Sequence, residues 1–151
     1  MEEKKYVTEW ANENLGLTLK ITNMVHEEQT PFQHIEIADT LEYGRLLILD
    51  GVFQTSVKDE WTYHEMISHV PLMLHPHPER VLIIGGGDGG VAREVCRHHC
   101  VTHEDLCDID GRVIELSKEY FPTISKVLRN PPEKLHVHVG DGIAFARDRK
   151  S

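Results

Sequence analysis

Alternation of apolar and polar residues dominates the first third of the chain. Leu17, Leu19 and Ile21 alternate with Thr18, Lys20 and Thr22, and His34-Ile35-Glu36-Ile37 repeats the period of two. That spacing predicts half-buried strands from about residue 15 to 56. Glu42-Tyr43-Gly44 supplies a turn, and Asp50-Gly51, between Arg45–Leu49 and Val52–Thr55, is a two-residue hairpin signal because both residues tolerate positive φ. Over 58–74 the period changes. Tyr63, Met66, Ile67, Val70 and Leu74 recur at helical spacing, which makes Tyr63 a core residue and His64 a surface one; Pro71 predicts a kink or interruption. His75-Pro76-His77-Pro78 reads as a stiff connector.

From Val81 onward strand and helix patterns alternate: strand 81–84, helix about 89–98, strand about 105–109, helix about 111–120, strand 135–139, and a helix beginning near Gly142. Such alternation predicts a parallel sheet with right-handed crossovers. The expected organisation is an antiparallel β domain over 1–56, a connecting helix and linker over 57–80, and a truncated, Rossmann-like, doubly wound α/β domain over 81–151. Three parallel strands leave one edge of strand 81–84 unpaired, so the sequence reads as a fragment, with 147–151 as a frayed helix end.

The first parallel strand enters Gly85-Gly86-Gly87-Asp88-Gly89-Gly90, in which Gly85, Gly87 and Gly90 fit G-x-G-x-x-G. This is the strand–loop–helix turn on which doubly wound domains hold a nucleotide or nucleoside. Asp108 and Asp110 stand where the next strand should end, twenty residues past Asp88 and Gly90, in reach of a ribose hydroxyl. Asp88 discriminates among ligands. A carboxylate inside the loop repels a pyrophosphate and attracts a nucleoside carrying a sulfonium or an amine. It is also a candidate helix cap, and the two roles are compatible.

Composition narrows the partners. The chain has 151 residues, 40% of them hydrophobic, and a formal charge of −9. That charge argues against nucleic acid or an anionic membrane and suits a cationic substrate. No apolar run approaches the roughly 20 residues that span a bilayer, and Met1-Glu2-Glu3-Lys4-Lys5 is too polar for a secretory signal. Three cysteines make no complete disulfide framework, so a cytoplasmic location is expected. Cys96, His98, Cys100 and His103 form a cluster with zinc-like composition, Cys96 and Cys100 being placed four apart on the last turn of a helix. No metal site is assigned, because the same segment is needed for a helix end and a strand.

Six stretches together resemble the N-terminal part of the polyamine aminopropyltransferases, the spermidine synthases most closely. They are Glu28–Glu36, Leu49-Asp50-Gly51, Asp59–Met66, the glycine loop, Asp108-Ile109-Asp110-Gly111 and Gly140-Asp141-Gly142. The resemblance implies transfer of an aminopropyl group from decarboxylated S-adenosylmethionine, as co-substrate, to putrescine, giving spermidine and methylthioadenosine with no metal and no further cofactor. It implies that Gln33 contacts the sulfur nucleoside, Tyr63 and His64 line the polyamine channel, and Asp88 binds the amine end. Gly85 and Gly87 belong to the nucleoside loop, Asp108 holds the ribose hydroxyls, and Asp141 and Gly142 flank the adenine. Asp110 is expected to support the following turn or to cap the helix after Gly111, and Glu65 fits the pattern without a role. A homo-oligomer is also implied.

The family's catalytic Asp is expected beyond Ser151, so weak binding and little turnover are expected of this chain alone. Glu104 and Asp105 depart from the family's more apolar second strand and are expected to weaken it. The rival readings are a non-catalytic fragment that binds methylthioadenosine or pairs with full-length subunits, and an S-adenosylmethionine-dependent methyltransferase on the same fold.

Overall fold

A computed structural model describes residues 5–148, so the last three residues of the expected frayed end at 147–151 lie outside the described residues. The chain divides into two compact units after Glu60.

The first unit is a five-stranded antiparallel meander of β1 (Tyr6–Asn12), β2 (Leu15–Gln29), β3 (His34–Thr40), β4 (Gly44–Leu49) and β5 (Val52–Ser56), paired in sequence order. β1 was not legible in the apolar alternation. It exists because the first half of β2 offers it a full register, Tyr6 opposite Lys20 through Trp10 opposite Gly16. β2 then shifts register twice, between Ile21 and Asn23 and between Met24 and His26, where it pairs with β3. Such bulges bend a strand and let the sheet curl into a half-barrel, in which the Phe53 amide on β5 donates to Glu9 Oε2 on β1 at 3.1 Å.

Val7, Ile21, Ala38, Leu46 and Ile48 form the inner core of this unit. Two expectations shift here. Leu17 is exposed, and β3 is not half-buried: Ile35, Glu36, Ile37 and Ala38 are all buried, since β3 is the middle strand of the curled sheet. The Asp50-Gly51 hairpin forms as read, with φ of 49° and 77°, and Asp50 Oδ1 also accepts the His34 amide at 2.8 Å.

The second unit begins within α1 (Glu60–Leu74), at Trp61. A parallel sheet follows, ordered β6 (Arg80–Ile84), β7 (His103–Asp108), β8 (Leu135–Val139), with α2 (Gly90–Cys96), α3 (Gly111–Tyr120) and α4 (Lys126–Arg129) in the connections and α5 (Gly142–Asp148) after β8. One face of the sheet carries the core, built from Ile83, Ala92, Val95, Val101, Leu106, Ile114, Leu128 and Leu135. At about 25 cal/mol per Å² of apolar surface removed from water, this is the main term holding the unit together.

The buried face of α1 is the reverse of the one its periodicity predicts. His64, Ser68 and Leu72 are buried, whereas Tyr63, Met66, Ile67, Val70 and Leu74 are exposed. Small groups decide this. Gly90 leaves room for the His64 ring, and Ser68 Oγ reaches the Val91 carbonyl at 3.5 Å. α1 also runs unbroken through Pro71. Pro71 and Ile67 are both exposed, so solvent can serve the Ile67 carbonyl that loses its amide partner.

β7 is a full strand despite Glu104 and Asp105, both buried. Glu104 Oε2 accepts the Cys96 thiol at 3.0 Å. Asp105 meets His103 Nε2 at 2.9 Å and His138 Nε2 at 2.8 Å. Pairing replaces the expected apolar residues.

Candidate functional site

The glycine loop joins β6 to α2 at the C-terminal end of the parallel sheet. Gly85, Gly86 and Gly89 have φ of 80°, 78° and 83°, a region that side chains disfavour. The Gly85 amide donates to the Cys107 carbonyl at 2.9 Å. The Gly87 amide donates to Asp108 Oδ2 at 2.8 Å. A Cβ on Gly87 would stand 2.8 Å from that same oxygen, so glycine is what permits the carboxylate to reach the loop backbone.

Asp108 ends β7 and is buried. Its Oδ1 accepts the Asp110 amide at 2.9 Å, and its carbonyl accepts the Gly140 amide at 2.8 Å, so one residue ties together the ends of all three strands. Burial raises its pKa; the Asp110 and Gly87 amides oppose that, and the charges of Asp110 and Asp88 add to it. Asp110 caps α3, accepting the Arg112 amide at 3.0 Å.

Asp88 Oδ1 accepts the Gly90 amide at 2.6 Å, satisfying one of the donors left free at the start of α2. The same oxygen is 3.2 Å from His64 Nε2. Burial pushes the Asp88 pKa up, but the hydrogen bond and charge of His64, the Gly90 amide and Arg93 together hold it below the usual value. His64 is 1% exposed and Asp88 16%. Tyr63 is 59% exposed, its ring edge-on to His64 with centroids 5.5 Å apart.

Asp141 follows β8 and caps α5, its Oδ1 accepting the amides of Ile143 at 2.8 Å and Ala144 at 3.2 Å. Gly142 packs against Ile84, whose Cγ2 would be 2.6 Å from a Cβ there. Gln33 belongs to the first unit and closes the turn into β3. Its amide donates to Thr30 Oγ1 at 3.1 Å, and its carbonyl accepts the Thr30 amide at 2.9 Å.

The second unit thus assembles Gly85, Gly87, Asp88, Asp108, Asp141, Gly142 and the buried His64 around one end of its sheet. The His64–Asp88 pair was not foreseen. Its signal in the sequence was the third glycine of the fingerprint, Gly90, whose missing side chain admits the ring.

The Cys/His cluster does not assemble. α2 ends at Cys96, which removes Cys100 from its last turn. Cys96 bonds Glu104, His98 Nε2 lies 2.8 Å from His69 Nδ1, His103 pairs with Asp105, and Cys100 is exposed. Among the described residues, no group of three or more His, Cys, Asp or Glu is arranged to hold a metal ion. A cavity of about 350 Å³, lined in part by Arg80, Leu82, His103, Asp105 and Phe145, lies toward the opposite ends of β6 and β7. Ligands of parallel sheets sit at the carboxyl ends of the strands, so the chemistry gathers at the glycine loop rather than in this cavity. No helix among the described residues is long and apolar enough to cross a membrane.

Comparison with known proteins agrees with this architecture. Residues 60–151 match the spermine/spermidine synthase domain, and residues 6–56 match the spermidine synthase tetramerisation domain. A polyamine aminopropyltransferase of Bacillus subtilis (strain 168) is 50% identical over 137 residues, covering 91% of this chain and 49% of the relative. One from Thermoanaerobacter sp. (strain X514) is 47% identical over 146 residues, covering 97% and 52%. The crystal structure of spermidine synthase from Thermotoga maritima superposes with a TM-score of 0.89 at 38% identity, over 95% of this chain and 50% of that one. A matching spermidine synthase structure holds the transition-state analogue AdoDATO, with the same TM-score and identity. The chain spans about half the length of the curated relatives it matches.

Proposed function

Because the chain belongs to the spermine/spermidine synthase family, we propose that it forms the sulfur-nucleoside side of an aminopropyl-transfer site. The observation that carries this reading is the placement of three carboxylates, Asp88, Asp108 and Asp141, after three parallel strands and around the glycine loop. Asp88 takes the ammonium end of decarboxylated S-adenosylmethionine. Asp108, held in place by two backbone amides, accepts from the ribose hydroxyls. Asp141 and Gly142 flank the adenine, and Gly85 and Gly87 let the nucleoside approach the backbone. Tyr63 faces the polyamine. Burial of His64 supports an action through Asp88 rather than direct contact with the polyamine.

In the reaction, an amine nitrogen of putrescine attacks the methylene beside the sulfonium. A C–N bond forms and the C–S bond breaks, its electrons passing to sulfur, so methylthioadenosine leaves and spermidine forms. The attacking amine must lose a proton to a base. No carboxylate of this chain is assigned that role. The chain's own contribution is binding and alignment of the electrophile. Residues 6–56, matched by a tetramerisation domain, carry self-association, and the setting is the cytoplasm.

Calorimetric titration with methylthioadenosine tests the reading. Saturable binding by the chain, abolished by Asp108→Ala in a variant that still unfolds cooperatively, is expected. Absence of binding, or binding indifferent to Asp108→Ala, overturns it. Aminopropyl transfer measured on the same preparation separates a catalyst from a binding fragment.

A further inference from the structure

α1 has little apolar surface with which to stay docked. Of its buried residues His64, Ser68 and Leu72, only Leu72 joins the hydrophobic core, while Met66, Ile67, Val70, Met73 and Leu74 are exposed. An element with so few buried apolar contacts leans on its polar ones. In the second half of α1 these run through His69. Its Nδ1 lies 2.8 Å from Nε2 of His98, two residues past the end of α2, with ring centroids 5.0 Å apart. Its Nε2 is 3.4 Å from Glu94 Oε2 on α2.

Glu94 is 2% exposed. Burial pushes its pKa up, but Arg93 Nε at 2.8 Å and Arg97 Nη1 at 2.6 Å hold it below the usual value. The carboxylate is therefore a fixed anion beside His69. Lys134, before β8, donates to the carbonyls of His98 and Val101 at 2.9 and 3.1 Å, which sets its ammonium behind His98.

Two imidazole nitrogens 2.8 Å apart share one proton and no more. With both rings neutral, the N–H of one donates to the lone pair of the other. With one added proton, an imidazolium donates to a neutral ring and the bond survives. With a second, two N–H groups face each other and the contact breaks. From this geometry we infer that His69 and His98 form a proton-operated latch between α1 and the end of α2, closed while the pair holds at most one added proton and open when it holds two.

The surroundings set the side of the pH scale on which it opens. Burial, then the charges of His69, Lys134 and Arg97, lower the His98 pKa, and Glu94 opposes them. A folded pKa below the unfolded one means that the unfolded chain takes this proton first. The contribution of the closed latch is thus complete above about pH 6.5 and is lost as pH falls below it. The latch needs no ligand, so it stands whether or not the nucleoside site binds one.

NMR of the isotopically labelled full chain tests it. Scalar coupling across the hydrogen bond, from His69 Nδ1 to His98 Nε2, is expected at about pH 7.5 and not at about pH 5. Over the same range the amides of residues 66–74 should lose hydrogen-exchange protection about tenfold, after correction for intrinsic rates, while those of α3 keep theirs. His98→Gln places an amide where Nε2 stood but takes no proton, so it should keep residues 66–74 protected at both pH values. His99→Gln, at the exposed neighbour, should open as the wild type does. Absence of the coupling at the higher pH, or acid opening that persists in His98→Gln, overturns the latch. Should His98→Gln fail to fold, the wild-type coupling decides alone, and its survival at about pH 5 counts against the latch.

Discussion

The His64 imidazole occupies the space in which a Cβ on Gly90 would lie, so a residue of α1 and the first residue of α2, twenty-six positions apart, form one packing unit. Gly90 is buried and its φ is not in the left-handed region, so space and not backbone conformation demands glycine there.

Gly90→Ala is expected to destabilise the second unit by about 1–3 kcal/mol, the usual cost of overpacking. In the double variant with His64→Ala the alanine at 90 should cost much less, because the clashing ring is gone. Urea unfolding of the four proteins in this cycle measures the coupling, and additive effects would exclude it.

Glu104 is fully buried on β7, with Oε2 taken by the Cys96 thiol and Oε1 without a hydrogen-bond partner. Burial pushes its pKa up to about 7, and the Cys96 thiol is pushed up to about 12, so the thiol stays a donor. A carboxyl whose folded pKa is raised ionises more readily when unfolded. Its stabilising contribution is thus complete below about pH 4.5 and is lost as pH rises through about 7, by roughly 3 kcal/mol at most. Glu104→Gln should flatten this part of the stability–pH profile, which chemical denaturation at several pH values reads directly. An unchanged slope would place the titrating group elsewhere.

Gly87→Ala sets a methyl against Asp108 Oδ2 and displaces the carboxylate from the loop amide. Methylthioadenosine affinity is expected to fall at least tenfold, with a smaller loss of stability, about 1–2 kcal/mol. Calorimetry beside thermal unfolding distinguishes this from simple misfolding.

Asp141→Ala removes the acceptor for two amides at the start of α5. A lost cap of this kind costs about 1 kcal/mol. Hydrogen exchange should show Ile143 and Ala144 losing protection first, whereas uniform loss over the second unit would contradict a local capping role.

Local signals carried a large part of this protein. The Asp50-Gly51 turn, the glycine loop, β8 at Leu135–Val139, the cap at Asp110, and the family itself were all legible, because each depends on residues adjacent in the chain or on motifs in a fixed order. Tertiary structure decided whatever depended on a distant neighbour. β1 needed the far half of β2 before it had a partner. α1 turned its polar face inward because Gly90 and Val91 on another helix offered a recess and an acceptor that its own periodicity does not encode. Glu104 and Asp105 remained in a central strand because Cys96, His103 and His138 were brought beside them, making charge at the core tolerable where sequence alone argued against it. Hydrophobic period reports how much surface a helix or strand can bury, but which face is buried is settled by the shape and hydrogen-bonding capacity of what packs against it.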